Sequence, residues 1–113
     1  MKTIIAGSRG VTDFNIVEEA IKESGFIITE VVCGCARGVD SLGEQWAKNN
    51  NIPVKYFPAE WNRFGRSAGY KRNVEMADNA EALIAVWDKV SKGTKHMIDI
   101  AGNKGLKIFV KEI

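Results

Sequence analysis

Glycine next to arginine recurs in this sequence in a pattern suited to anion binding. Gly7-Ser8-Arg9-Gly10 and Gly34-Cys35-Ala36-Arg37-Gly38-Val39-Asp40 each form a glycine turn carrying one arginine. Glycine lets backbone N–H groups approach an anion, a helix N-terminus adds about half a positive charge, and arginine grips phosphate through paired hydrogen bonds. Trp87-Asp88-Lys89-Val90-Ser91-Lys92-Gly93-Thr94 has the same ingredients, with lysines as the cations. A fourth segment, Pro58 to Ser67, contains Trp61, Arg63, Phe64, Gly65 and Arg66 and leads into Gly69-Tyr70-Lys71-Arg72-Asn73. Between Trp61 and Asn73 stand four basic residues and no acid. An aromatic ring among cations is what a purine bearing phosphates requires, through stacking and charge pairing.

Each of these residues also has a plain structural role to offer. Helix caps and tight crossovers need glycine with or without a ligand, and Asp40 can serve simply to complement a helix N-terminus. Trp46 sits at a core spacing. Cys35 reads as a small turn residue rather than a nucleophile. His96, with Asp99 three residues on, supplies two groups where a metal needs more, so no metal or cofactor is expected. Neither a Walker A loop nor a G-x-G-x-x-G fingerprint is present.

The elements that must position these turns can be read from periodicity. Residues 2–6, 30–33, 54–57, 82–86 and 107–110 are short runs rich in Ile, Val, Phe and Ala, as in strands buried on both faces. Asp13 is placed to cap a helix that runs to Ser24, carries Ile16, Val17, Ala20 and Ile21 inward and stops at Gly25. A second helix spans 39–49, burying Val39, Leu42, Trp46 and Ala47, with Ser41 and Glu44 at capping-box spacing. A third covers 68–79. A fourth covers 93–103, with Met97, Ile98 and Ala101 inward. Pro58 to Ser67 is expected to be irregular, a lid in which Trp61 either stacks on a base or pins the loop to the sheet edge. Strands alternating with single helices imply a single α/β domain over 1–113, Rossmann-like and three-layered, with a five-stranded mostly parallel sheet and helices on both faces. Such sheets bind ligands beyond the carboxyl ends of their strands, which is where the glycine turns fall.

Composition sets the outer limits. At 113 residues, 45% hydrophobic and 27% charged, the chain has the make-up of one compact domain. A net charge of +2 argues against general binding to nucleic acid. No apolar run approaches a membrane span, and the apolar part of Met1 to Ala6 is too short for a signal peptide. Cys33 and Cys35, one residue apart, would form a badly strained disulfide. A reducing compartment, the cytoplasm, is the expectation.

Five motifs in order, Gly7-Ser8-Arg9, Gly34-x-Ala36-Arg37-Gly38-x-Asp40, Ala59-x-Trp61, Ala68-Gly69-x-x-Arg72-Asn73-x-x-Met76 and Ser91-x-Gly93-Thr94, make the chain resemble the YspA/cpYpsA-related branch of the SLOG superfamily. That superfamily includes the DNA-processing protein DprA and the LOG phosphoribohydrolases. The resemblance implies a Rossmann-like domain that takes nucleotides or nucleotide-derived ligands, often as a homodimer. Compared with the LOG motifs M-H-E-R-K-x-E-M and P-G-G-x-G-T-x-x-E, Arg72 matches the arginine, Glu75-Met76 the E-M pair and Gly93-Thr94 the G-T. Met97 stands where those enzymes have their catalytic glutamate, and methionine transfers no proton.

Turns and resemblance together nominate Gly7, Ser8, Arg9, Gly34, Ala36, Arg37, Gly38, Asp40, Trp61, Arg72, Asn73, Trp87, Ser91, Gly93 and Thr94 as ligand-binding residues. The function expected is binding, for sensing or sequestration, of a small phosphorylated nucleotide derivative of the ADP-ribose or nucleoside-phosphate kind. The alternatives are a LOG-like N-glycosidic hydrolase using Asp40, Glu60 or Asp88 as its acid, and single-stranded nucleic-acid binding with Trp61 and Phe64 as stacking groups.

Overall fold

The structure is a computed structural model that describes residues 1–113. In chain order it contains β1 (Lys2–Gly7), α1 (Phe14–Ser24), β2 (Glu30–Cys33), α2 (Val39–Asn49), β3 (Val54–Tyr56), α3 (Trp61–Phe64), a 3-10 turn (Gly65–Ser67), α4 (Ala68–Asp78), β4 (Ala82–Trp87), α5 (Lys92–Asn103) and β5 (Lys107–Glu112). The sheet order is β3-β2-β1-β4-β5, and every pairing is parallel. Thr3 aligns with Val31 on one side and Ala82 on the other. From β1 the chain winds outward through β2 and β3, then returns across to β4 and β5. The order therefore reverses between β1 and β4, and the crevice between them opens at their carboxyl ends.

Both faces of the sheet are covered, which is why its central strands read as unbroken apolar runs. Ile5, Val31, Ile84 and Val86 pack with Val17, Ala20 and Ile21 of α1 and Val39 and Ala47 of α2. On the opposite face Ile4, Val32, Leu83 and Ala85 pack with Met76 and Ala77 of α4 and Met97 and Ala101 of α5. Ile16, Ile98, Leu42 and Trp46 lie at the margins of these cores, half-buried.

The helix ends follow local chemistry. Asp13 accepts a hydrogen bond from the Asn15 N–H at 2.9 Å, and Gly25 closes α1 in the left-handed region at φ 68°. Ser91 caps α5 by accepting from the Thr94 N–H at 3.3 Å. Two expectations are corrected. Ser41 and Glu44 form no capping box: α2 begins at Val39, where it was expected, but with Gly38 at the cap position and no side-chain cap, and Glu44 instead accepts from the Tyr56 hydroxyl at 2.7 Å and pairs with Lys48 at 3.1 Å. Pro58 to Ser67 is not irregular throughout, because from Trp61 onward it forms α3 and the 3-10 turn that lead directly into α4.

Candidate functional site

A cleft of about 210 Å³ opens at the carboxyl ends of β1 and β4. Its floor is Ala6 and Gly7 from β1 with Met76 and Met97 from the two helices behind the sheet. Arg9 and Ala36 enter from the turns after β1 and β2, Asp40 from α2, Ser91 from the cap of α5, and Gly93 and Thr94 from its first turn. Trp61, Arg66, Gly69, Tyr70, Arg72 and Asn73 close the remaining side from α3, the 3-10 turn and α4. A second groove of about 380 Å³ runs between the turns after β1 and β4, but Asp13 and Asp88 are its only charged residues, which unfits it for an anion.

Arg72 is the most firmly held cation of the cleft. Its Nη1 donates to the Gly34 carbonyl and its Nε to Asn73 Oδ1 at 3.2 Å. Asn73, itself buried, uses its amide nitrogen toward the Gly93 carbonyl at 3.2 Å and His96 Nδ1 at 3.1 Å. This chain ties α4 to the start of α5 and fixes the guanidinium over the β2 turn. Burial lowers the pKa of His96, so its neutral ring accepts from Asn73 at Nδ1. The same ring meets Tyr70 edge-on, with centroids 4.5 Å apart.

Asp40 lies opposite Arg72 and is only 5% exposed. It accepts from the Ala36 N–H at 3.3 Å and forms no ion pair within 4.0 Å. Burial lifts its carboxyl to about 6, against the lowering influence of the nearby Arg72, the Ala36 and Gly7 N–H groups and Arg9. Gly34 makes this arrangement possible: a Cβ there would stand 2.7 Å from Asp40 Oδ2 and 3.0 Å from Arg72 Nη1. Gly38 is required for a different reason. Its φ is 74°, and a Cβ would fall 2.4 Å from the Ser8 carbonyl oxygen, because the β1 and β2 turns touch backbone to backbone there.

Ten of the nominated residues, Gly7, Arg9, Ala36, Asp40, Trp61, Arg72, Asn73, Ser91, Gly93 and Thr94, border the cleft. Five lie outside its lining. Gly34 and Gly38 shape it from behind. Ser8 is buried and accepts from the Asp88 N–H at 3.1 Å, while Trp87 donates its indole N–H to the Ser91 carbonyl at 3.0 Å, so both brace the β4 turn. Arg37 is exposed on the surface. The β4 turn also differs from an open phosphate loop: Asp88 accepts from the Val90 and Ser91 N–H groups, both at 2.8 Å, which holds its carboxyl below the usual range. Trp61 does not reach the core; it is 50% exposed at the cleft rim, its ring edge against Gly69. Cys35 takes a positive φ of 64° and is exposed, whereas burial pushes the Cys33 thiol up to about 12.

Among the lining residues, Ala6, Arg66, Gly69, Tyr70, Met76 and Met97 were not nominated from sequence. A signal for three of them was present. Gly69, Asn73 and Met76 share one helical face at spacings of four and three, and Tyr70 adjoins it, which marks α4 as a wall of whatever Asn73 faces. No cluster of three or more His, Cys, Asp or Glu side chains is placed to hold a metal ion, and no helix is long and apolar enough to cross a membrane.

Comparison with known proteins agrees with this geometry at the level of family and fold. The family model for YAcAr, the YspA, cpYpsA-related SLOG family, matches residues 1–64. The chain is 29% identical over 119 residues to the Gene 61 protein of Mycobacterium phage D29, an alignment covering 95% of this chain and 93% of that protein. Among solved structures, DNA processing protein A (DprA) from Streptococcus pneumoniae superposes with a TM-score of 0.76 at 16% identity, over 96% of this chain. That match covers 49% of the DprA chain, so the present chain spans about half of its length, and the likeness is one of fold.

Proposed function

The chain belongs to the YspA, cpYpsA-related SLOG family, and from that premise we propose that its cleft binds a small phosphorylated nucleotide or nucleotide-derived ligand, for sensing or sequestration. The observation that carries this reading is the convergence of Arg9, Arg66 and Arg72 with the rings of Trp61 and Tyr70 on one cleft at the β1–β4 reversal. Guanidinium groups suit phosphate, exposed rings suit a base, and the place suits a ligand of an open parallel sheet. Thermal-shift screening of nucleoside phosphates and ADP-ribose tests it. A ligand at 100 times its Kd should stabilise the protein by about 2.7 kcal/mol, and the stabilised protein should return it unchanged in chromatography. No shift with any phosphorylated compound would refute the reading.

Asp40 keeps a second reading in view, cleavage of the N-glycosidic bond of a nucleoside phosphate. Of the three acids that sequence offered in place of the LOG glutamate, only Asp40 borders the cleft; Glu60 and Asp88 do not. Met97, at the glutamate position, is buried in the floor. Release of free base by the unmodified protein would establish this hydrolase reading over simple binding. Sedimentation of the purified chain would decide whether the binding unit is the homodimer that the family resemblance implies.

A further inference from the structure

A buried carboxylate that borders a cation-lined cleft, yet is not paired with those cations, needs a reason. Asp40 is 5% exposed, one of its oxygens accepts from the Ala36 N–H at 3.3 Å, and no arginine comes within ion-pair distance. Arg72 is engaged elsewhere, two of its donors being taken by the Gly34 carbonyl and Asn73 Oδ1. An anion alone would be drawn to Arg9 and Arg72 but repelled by Asp40. A molecule that carries a hydroxyl beside its anion meets both demands, because a carboxylate accepts readily from a hydroxyl and an ionised one does so strongly.

We propose that Asp40 is a specificity-determining residue that accepts a hydrogen bond from a ribose hydroxyl of the phosphorylated ligand, so that the cleft selects ribose over deoxyribose. This rests on the reading of the cleft as a nucleotide site. Selection arises because a ligand without the hydroxyl leaves a desolvated carboxylate with no donor on its ligand side, a loss larger than the hydrogen bond itself would suggest. The neighbouring cations sharpen it by attracting both kinds of phosphate equally, which leaves the hydroxyl as the difference.

Calorimetric titration of the whole chain with AMP, 2′-deoxy-AMP, 3′-deoxy-AMP and inorganic phosphate tests the proposal. The expected result is at least tenfold tighter binding of AMP than of one of the two deoxy compounds. In Asp40→Asn the amide oxygen can stay on the Ala36 N–H while the charge is lost, so the ratio should fall to about threefold or less and inorganic phosphate should bind at least as well as before. Asp40→Ser provides the same comparison should the asparagine variant not fold. Equal affinities of the unmodified protein for all three nucleotides, or an undiminished ratio in a folded Asp40 variant, would overturn the proposal while leaving the nucleotide site standing. Failure of all four probes to bind would overturn the proposal, and a thermal screen that also shows no shift with any phosphorylated compound would overturn the nucleotide site with it.

Discussion

Asp40 links the cleft to the stability of the free protein. Its carboxyl titrates near 6 in the folded state and near 3.9 when unfolded, so the folded state holds the proton more tightly. The group's contribution is therefore fully present below about pH 4, is lost as pH rises through about 6, and is absent above it. Arg72 from α4 and Arg9 from the β1 turn face it and limit the rise, and Cys33 beneath it stays neutral throughout this window. Asp40→Asn should flatten this dependence and stabilise the free protein at pH 8 by up to the order of 3 kcal/mol, measured by urea denaturation at pH 5 and pH 8; an unchanged midpoint at pH 8 would contradict the assignment. The arginines separate in a similar way. Arg72→Ala should weaken phosphorylated ligands by about 1.5–3 kcal/mol more than the matching nucleosides, whereas Arg37→Ala, on the exposed side of its turn, should change both little. In the sequence both were nominated, Arg37 from its glycine turn and Arg72 from its helix motif, and only the fold shows which of them enters the cleft.

The short helix α3 shows what periodicity can and cannot reveal. Strands and long helices were legible because apolar residues repeat along them, and a sheet covered on both faces leaves central strands such as Ala82 to Val86 wholly apolar. Four residues of α3 contain too little repeat to register, and none of them is buried, so the segment read as loop. Its tryptophan stood out by its company of arginines, either as a stacking group or as a pin for the loop, but its half-exposure was not legible. With the ring at the rim rather than in the core, Trp61→Ala should leave the melting temperature of the free protein nearly unchanged and reduce affinity for a base-bearing ligand by about 1–3 kcal/mol; a large drop in melting temperature would restore the pinning role. The turn between β2 and α2 should behave oppositely. Gly38→Val meets both the positive φ and the Ser8 carbonyl, and should destabilise the fold by several kcal/mol, detectable as a lowered denaturation midpoint before any ligand is added.

Across the whole molecule, two cores on opposite faces share one sheet, so damage to either should be felt by both. Met76→Ala on one face and Val17→Ala on the other are expected to cost about 2–5 and about 1–3 kcal/mol, each in a single transition that coincides by circular dichroism and tryptophan fluorescence. Separate transitions would mean that the layers unfold independently. The sheet order itself was not legible, because nothing in the local pattern of β1 tells which strands flank it. That order has a consequence for synthesis on the ribosome. Thr3 pairs with Val31 on one side but waits for Ala82 on the other. Elongation at about 5–20 residues per second separates those two partners by several seconds. For that interval the central strand has an open edge, and a nascent chain that has already made both arginine-bearing glycine turns still lacks one wall of its cleft.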